Sequence, residues 1–297
     1  MDKDTLFYKK HTIRCGSKLF SIENPVVMGI LNVTPDSFYD GGEYITTDNI
    51  LARSEEIINE GGHIIDIGAC STRPGVKPTS DKVEKERLNA ALSVIREHHP
   101  HIIISLDTFR AEIADWAISK FNVDIINDVS GGNIEPEIID VVANKKVAYI
   151  TMHMQGMPEN MQINPEYKHV VKDILCYFSE HVFKLRNKGL HDIIIDPGFG
   201  FGKTMDQNYQ LMACLDVFQM LELPLLVGVS RKSMIYNLFN STAKEALTGT
   251  IALNLFALQK GASILRVHDI KQAVETIRIF KKLRDEKEKS INLLKEQ

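Results

Sequence analysis

The chain lacks the features that mark disulfide scaffolds, zinc knuckles and membrane spans. Its 297 residues include only four cysteines, which are widely separated and form no C-x-x-C pair. Neither a zinc knuckle nor a redox dithiol is therefore predicted. No window is apolar over the length that a membrane helix needs, and the opening residues contain no apolar signal segment. We therefore expect a cytoplasmic protein with reduced thiols and no membrane partner.

The chain also lacks an excess of positive charge. Its 35 Lys and Arg residues and 39 Asp and Glu residues give a formal net charge of −4 at pH 7. A protein that binds nucleic acid through a broad basic surface needs the opposite balance. We therefore predict no nucleic-acid partner, and any anionic ligand must meet a local cluster of positive groups.

What the sequence does contain is a regular alternation of short apolar runs and longer amphipathic segments. Several of the short runs are apolar almost throughout, as expected for strands buried on both faces of a parallel sheet. The segments between them carry apolar residues at helical spacing, and each strand and helix together take about 30 to 35 residues. The eight predicted strands are 25–33, 63–69, 101–108, 123–129, 147–153, 192–198, 223–230 and 262–268.

Eight such units predict an α/β fold, a closed (β/α)8 TIM barrel, rather than an open doubly wound sheet. At 33.6 kDa the chain can bury a large core as one domain, and no Pro/Ser-rich linker divides it. We predict an N-terminal β-cap over residues 1–24, the barrel over 25–286 and a charged C-terminal tail over 287–297.

Polar side chains follow every predicted strand. The carboxyl ends of barrel strands and the loops after them form one mouth, where barrels of this kind carry their active sites. A single Asn or Asp at such a position is most simply a helix cap or a turn residue. Capping alone does not require that all eight strands end in polar groups, so we predict a ligand site at the mouth. Asp128 and Asp269 stay as caps or supporting partners.

The charges at the mouth are of two kinds. Arg266 and His268 lie two residues apart on the eighth strand, so their side chains share a face beside the N-terminus of the next helix. They predict an anion site. Asp107, Asn127 and Asp196 instead present oxygens that suit a flat heterocycle with several N–H donors. One ligand with a donor-rich ring and phosphates would satisfy both groups.

The loop after the first strand contains Asn32, Asp36 and Asp40, beside the predicted anion site. Their oxygens suit a Mg²⁺ ion that is held mainly by phosphate. A turn without metal explains the same spacing equally well, so the residues alone leave both interpretations open. The segment DPGFGFGK is glycine-rich but does not match the phosphate-binding P-loop pattern. His153 and the neighbouring methionines are interpreted as loop packing.

Together these segments resemble the dihydropteroate synthases, the folate-pathway enzymes of the pterin-binding barrel family. The resemblance runs from about Pro25 to Lys281. Any one segment is weakly diagnostic, whereas the ordered set is highly specific. In chain order the segments are GILNVTPDSF, DGG, IDIGACSTRPG, SLDTFR, INDVSGG, MHMQGMPENMQ, DPGFGFGKT, GVSRKS and RVHD.

The resemblance implies a transferase that condenses 6-hydroxymethyl-7,8-dihydropterin pyrophosphate with p-aminobenzoate to give 7,8-dihydropteroate and pyrophosphate. It implies an SN1-like course, in which pyrophosphate leaves before the arylamine attacks. It also implies Mg²⁺ as cofactor, a homodimer and inhibition by sulfonamides. The residues implied in catalysis are Asp107, Lys232, Arg266 and His268.

The resemblance also implies three sets of ligand contacts. The pterin contacts are Asp107, Asn127, Asp196 and Lys232. The pyrophosphate contacts are Asn32, Arg266 and His268, with Asn32 also at the metal. The p-aminobenzoate contacts are Thr72, Arg73, Pro74, Phe201, Lys232 and Ser233.

Two other functions fit parts of the pattern. A methyltetrahydrofolate-dependent methyltransferase shares the pterin pocket but has no pyrophosphate to hold, and both Arg266-x-His268 and the NVTPDSF loop disfavour it. A catalytically silent pterin-binding barrel is disfavoured by the intact loops and anion site. Pyrophosphate release that depends on both substrates separates the three functions.

Overall fold

The computed structural model describes residues 12–16, 18–34, 46–70, 79–156 and 165–295. Two short strands, β1 (Thr12–Cys15) and β2 (Lys18–Ser21), form an antiparallel hairpin apart from the main sheet. Ile13 and Cys15 on this hairpin are buried against the amino-terminal ends of the barrel strands. The hairpin therefore covers the end of the barrel opposite the mouth, as the predicted N-terminal cap requires.

Eight parallel strands form the main sheet. Each strand from β3 to β8 pairs with the next along the chain, and β10 pairs with both β3 and β9. A parallel bridge between Ile195 and Leu225 joins β8 to the segment that enters β9. The sheet thus closes on itself, and the predicted (β/α)8 barrel is confirmed. The strands are β3 (Val26–Asn32), β4 (Ile64–Gly68), β5 (Ile103–Asp107), β6 (Ile125–Asp128), β7 (Ala148–Met152), β8 (Ile193–Asp196), β9 (Leu226–Val227) and β10 (Ile264–Val267).

Helices lie outside the barrel and cover its outer face. In α5, the buried residues recur every three or four positions, which places one apolar stripe against the strands. Two short 3-10 helices, Leu215–Leu221 and Ala243–Glu245, lie between α6 and α8. The helices are α1 (Thr47–Asn59), α2 (Asp81–His98), α3 (Ala111–Phe121), α4 (Glu137–Lys145), α5 (Val170–Asn187), α6 (Met205–Ala213), α7 (Ser233–Tyr236), α8 (Leu247–Gln259) and α9 (Ile270–Lys295).

The last helix runs across the boundary predicted between barrel and tail. Helix α9 is continuous from Ile270 to Lys295, so the tail predicted from residue 287 continues a barrel helix as far as it is described. The division into cap, barrel and tail stays a prediction. No helix in the described part of the chain is both long and apolar enough to span a bilayer.

Alternation along the strands divides the apolar residues into two layers. Ile65 and Ile67 of β4 point outward into the core between sheet and helices, whereas Ile64 points into the barrel. The same alternation applies to the other strands. The inward set, called here the inner apolar layer, comprises Val26, Met28, Ile64, Ile125, Ala148, Ile150, Ile194, Leu226 and Ile264. This layer fills the lower barrel, so a ligand can enter only from the mouth.

Candidate active site

A ring of polar side chains lies directly above the inner apolar layer. On four strands the residue two positions after an inner-layer isoleucine is polar, and period-two alternation points it into the barrel as well. These isoleucines are Ile64, Ile125, Ile194 and Ile264. The corresponding polar tier comprises Asp66, Asn127, Asp196 and Arg266. The barrel interior therefore changes from apolar to polar within two residues along each of these four strands.

A cleft of about 110 Å³ opens above this tier. It brings together seven of the residues predicted from the sequence to form the site. The residues that line the cleft are Asn32, Thr34, Cys70, Asp107, Asn127, Val129, Met152, Asp196, Phe201, Gly228, Lys232 and Arg266. Their convergence from all parts of the chain is what a site at a barrel mouth requires.

The remaining predicted residues lie elsewhere. His268 is exposed at the rim, where its backbone N–H donates to Ser230 Oγ at 3.2 Å. Ser233 is exposed at the start of α7, next to Lys232 but outside the cleft lining. Five further predicted residues lie outside the residues that the structure describes: Asp36, Asp40, Thr72, Arg73 and Pro74.

Arg266 is held at the centre of the cleft by two carboxylates. Its Nε donates to Asp66 Oδ2 at 2.7 Å, and its Nη2 donates to Asp107 Oδ2 at 2.9 Å. Asp66 is fully buried, and sequence reasoning did not identify it as a site residue. Removing Arg266 would leave two carboxylates unpaired in a poorly hydrated site, which is costly. Arg266 is thus held in place, and its positive charge is already paired with two carboxylates before any ligand binds.

Asp107 is the carboxylate of this group that faces the cleft. Burial raises its pKa from the ordinary value of 3.8 to about 7, although Arg266 acts in the opposite direction. The neighbouring carboxylates of Asp66 and Asp128 raise the pKa further. Removal of the carboxylate from water is thus the main cause of the raised pKa, and the guanidinium that Asp107 shares with Asp66 offsets it only in part.

Lys232 supplies a second positive group in the cleft. Its Nζ donates to the Phe199 carbonyl at 2.6 Å and lies 4.7 Å from the centroid of the Phe201 ring. Burial lowers its pKa to about 8, against the attraction of the Asp196 carboxylate. Burial also raises the pKa of Asp196, which accepts a hydrogen bond from Gly198 N at 2.8 Å.

The glycine-rich loop after β8 is braced from below by Lys203. The Lys203 ammonium is buried, and its Nζ donates to the carbonyls of Gly198 at 2.9 Å and Phe201 at 3.0 Å. It also lies 3.1 Å from His153 Nδ1 at the end of β7. Gly198 has a φ of +73°, and a Cβ there would collide with the His153 carbonyl. Lys203 and His153 therefore fix the loop that carries Phe201, a role beyond the loop packing predicted for His153.

Asp128 and Asp269 have the supporting contacts predicted for them. Asp128 is buried and accepts hydrogen bonds from Ser130 N, Gly132 N and Tyr149 Oη. Asp269 accepts from Arg231 Nε at 2.9 Å and from Arg231 Nη2 at 2.7 Å. Both carboxylates stabilise the loops around the mouth, and neither lines the cleft.

Comparison with known proteins identifies relatives over most of the chain. The sequence profile of the family described as pterin binding enzyme matches residues 28–268. The dihydropteroate synthase of Escherichia coli (strain K12) is 40% identical over 260 residues, which cover 87% of this chain and 91% of the relative. That of Synechocystis sp. is 41% identical over 256 residues, which cover 85% of this chain and 88% of the relative.

Solved structures give the same result. A Yersinia pestis dihydropteroate synthase with a sulfonamide drug complex has a TM-score of 0.87 and 36% identity, covering 92% of this chain and 99% of that one. A Xanthomonas albilineans dihydropteroate synthase in complex with 7,8-dihydropteroate has a TM-score of 0.81 and 31% identity, covering 92% and 98% respectively.

The raised pKa of Asp107 predicts a pH dependence of stability. Between its ordinary pKa of 3.8 and about 7, the folded protein holds a proton on Asp107 that the unfolded chain releases. The stabilisation is therefore present at low pH and is lost as the pH rises through the folded pKa. The free energy of unfolding of the wild type, relative to Asp107→Asn, should fall by about 1 to 3 kcal/mol between about pH 5 and about pH 8.

Urea unfolding at several pH values measures this difference. Asp140→Asn, which removes an exposed carboxylate paired with Lys188, is the matched surface control. A wild-type advantage that stays constant or grows with rising pH would contradict the raised pKa of Asp107.

Proposed function

Because the chain belongs to the pterin binding enzyme family, we infer that its barrel mouth is the active site of a dihydropteroate synthase. The enzyme condenses 6-hydroxymethyl-7,8-dihydropterin pyrophosphate with p-aminobenzoate, and it releases 7,8-dihydropteroate and pyrophosphate. The observation that carries this conclusion is the convergence of Asp107, Asn127, Asp196, Lys232 and Arg266 in one cleft. Relatives with this activity are similar over most of the chain.

The pterin ring binds against the polar tier. Its amino and ring N–H groups are hydrogen-bond donors, and the buried oxygens of Asp196 and Asn127 are the matching acceptors. Lys232 lies beside them and donates to an acceptor of the ring, since its ammonium has three donors. The inner apolar layer below the tier prevents deeper entry, so the ring's substituent points toward the mouth.

The p-aminobenzoate side of the site lies toward Phe201, Lys232 and Ser233. Phe201 offers an aromatic face, and the neighbouring ammonium of Lys232 gives a positive group for a carboxylate. Thr72, Arg73 and Pro74 complete this side by family resemblance. A dihydropteroate synthase of Yersinia pestis has been solved with a sulfonamide, and we expect sulfonamides to compete with p-aminobenzoate here.

The leaving group binds near Asn32, Arg266 and His268. Although His268 is exposed as a whole residue, its imidazole is largely removed from water, and this burial together with the positive charges of Arg266 and Arg53 lowers its pKa below its usual value. Its imidazole is therefore neutral at pH 7 and provides a hydrogen bond rather than a charge. Arg266 already serves Asp66 and Asp107. These described groups alone therefore offer pyrophosphate little unshared positive charge.

This charge balance supports Mg²⁺ as the cofactor. Among the described residues, no three His, Cys, Asp or Glu side chains are grouped closely enough to hold a metal. A magnesium ion that keeps several waters and binds phosphate oxygens needs only one or two protein ligands. Asn32 fits this requirement, because Gly68 has no side chain to cover its Oδ1; a Cβ there would lie 3.4 Å from that oxygen. When held there, Mg²⁺ would supply positive charge to offset that of the pyrophosphate.

The reaction follows an SN1-like course. The bond between the pterin methylene carbon and the pyrophosphate oxygen breaks first, and its electron pair leaves with pyrophosphate. The resulting cation is delocalised into the ring, where the carboxylates of Asp107 and Asp196 stabilise it electrostatically. The nitrogen of p-aminobenzoate then forms the new bond and releases a proton to solvent.

Pyrophosphate release tests the function directly. Release should require both the pterin pyrophosphate and p-aminobenzoate, and Asp196→Asn should slow it at least about 100-fold because a preorganised charge is lost. Asp216→Asn, on the surface, should have no effect. No release would contradict the proposal and favour the other two functions. Release that p-aminobenzoate does not affect would show hydrolysis in place of condensation and would also contradict it.

Removal of divalent cations tests the metal. In the same assay, EDTA should suppress turnover, and added Mg²⁺ should restore it. Binding of 6-hydroxymethyl-7,8-dihydropterin, which has no pyrophosphate, should be unaffected in calorimetry because Asp196 and Asn127 bind the ring without metal. Full turnover in EDTA would exclude Mg²⁺ as the cofactor.

We also propose that the protein is a cytoplasmic homodimer. Cys15, Cys176 and Cys214 are free thiols, which suits a reducing compartment. For the dimer, helix α8 gives the support. Its inward side includes Thr250 and Asn254, whereas Ile251 and Phe256 are exposed on its outer side. Exposed apolar residues on the outer side of a helix are buried most simply against a second copy.

The mass in solution tests this interface. Sedimentation velocity should give twice the 33.6 kDa mass of one chain. Ile251→Lys should produce monomers, because it buries a charge in the proposed interface. Phe183→Lys on α5, where the side chain is 65% exposed, should leave the mass unchanged. A wild-type monomer would exclude the dimer.

A further inference from the structure

Asp66 is a fully buried carboxylate next to the proposed site. Its relative exposure is 0%, and it does not line the cleft. On β4 it pairs in register with Ser105, whereas Asp107 pairs with Gly68, two residues nearer the mouth. A ligand above the polar tier therefore does not contact Asp66. Any effect of this carboxylate on binding must pass through its neighbours.

Its neighbours are two cleft-lining side chains from different strands. Arg266 on β10 donates from Nε at 2.7 Å, and Asn127 on β6 donates from Nδ2 at 3.2 Å to Oδ2 and 3.3 Å to Oδ1. The carboxylate thus connects β4, β6 and β10 across the barrel. A buried carboxylate without these partners would be strongly destabilising, so the three side chains stay together.

This contact determines which way the Asn127 amide faces. An ionised carboxylate accepts hydrogen bonds but donates none, so it selects the NH₂ end of the amide. The carbonyl Oδ1 of Asn127 must then face away from Asp66. Because Asn127 also lines the cleft, a ligand meets an acceptor at this position rather than a donor.

We propose that Asp66 is a positioning residue that orients Asn127 as an acceptor and holds Arg266 beside Asp107. It thereby determines that the ring pocket accepts, rather than donates, a hydrogen bond at Asn127. This role rests on the proposed function, because a dihydropterin ring presents N–H donors to the pocket. An amide with the opposite orientation would place NH₂ against those donors. Asp66 thereby selects donor-rich heterocycles without contacting them.

Exchange of the carboxylate and the amide tests the role. In Asp66→Asn, the new amide can donate to Asn127 Oδ1 and so allow the reversed orientation. We expect affinity for 6-hydroxymethyl-7,8-dihydropterin, measured by calorimetry, to fall at least tenfold. In the double variant Asp66→Asn with Asn127→Asp, residue 127 again offers only acceptors when ionised. Most of the lost affinity should return.

Steady-state kinetics separate positioning from a general structural effect. In Asp66→Asn, KM for the pterin pyrophosphate should rise at least tenfold, whereas KM for p-aminobenzoate should change less than twofold. Equal rises in both KM values, or no recovery in the double variant, would overturn the role of Asp66. Wild-type protein that binds no dihydropterin would instead overturn the proposed function, and this role with it.

A measurement on the wild-type protein does not depend on the folding of any variant. The side-chain NH₂ of Asn127 can be observed by ¹⁵N NMR and assigned with Asn127→Asp, which lacks it. Because this group points to the buried Asp66, it should exchange slowly with solvent and shift little when the dihydropterin binds. Rapid exchange together with a large shift on binding would show that the NH₂ faces the cleft and would overturn the proposal.

Discussion

The mouth of the barrel depends on one guanidinium shared by two carboxylates. Arg266 donates to Asp66 on one side and to Asp107 on the other, directly above an apolar layer that contains Ile64 and Ile264. The group has an excess of negative charge and little access to water. Loss of hydration is the main cause that raises the pKa of Asp107, and the neighbouring carboxylates add to it, whereas Arg266 opposes the shift. The same carboxylates suit a ligand that becomes cationic during the reaction.

The fold provides this arrangement through alternation along its strands. Residues two positions apart on a strand face the same side, so an inward isoleucine is followed by an inward polar residue on β4, β6, β8 and β10. Loops then complete the cleft. The Lys203 brace holds the loop with Phe201 and the Phe199 carbonyl, and that carbonyl in turn accepts from Lys232. Rigid strands thus position the polar tier, while a braced loop positions Phe201 beside Lys232.

The sequence was sufficient to predict the barrel and most residues of the cleft, because polar residues at strand ends are visible as interruptions of apolar runs. Asp66 was missed because it lies inside such a run. Its position two residues after Ile64 could have identified it, because alternation along the strand points both side chains into the barrel. Lys203 lies in a glycine-rich segment that does not match the P-loop pattern, and the sequence predicted no role for it. Its three carbonyl contacts depend on loop geometry that no local pattern encodes. The ion pair between Arg266 and Asp66 joins residues 200 positions apart, so no short sequence motif could contain both.

We propose that the polar tier binds a dihydropterin ring through fixed acceptors while Arg266 keeps its internal partners. The decisive measurement is a high-resolution crystal structure with 6-hydroxymethyl-7,8-dihydropterin. We expect the ring in the cleft, with its N–H groups on Asp196 and on Oδ1 of Asn127, and with Arg266 still bound to Asp66. A ring bound elsewhere, or Arg266 released from Asp66 to contact the ligand, would contradict it.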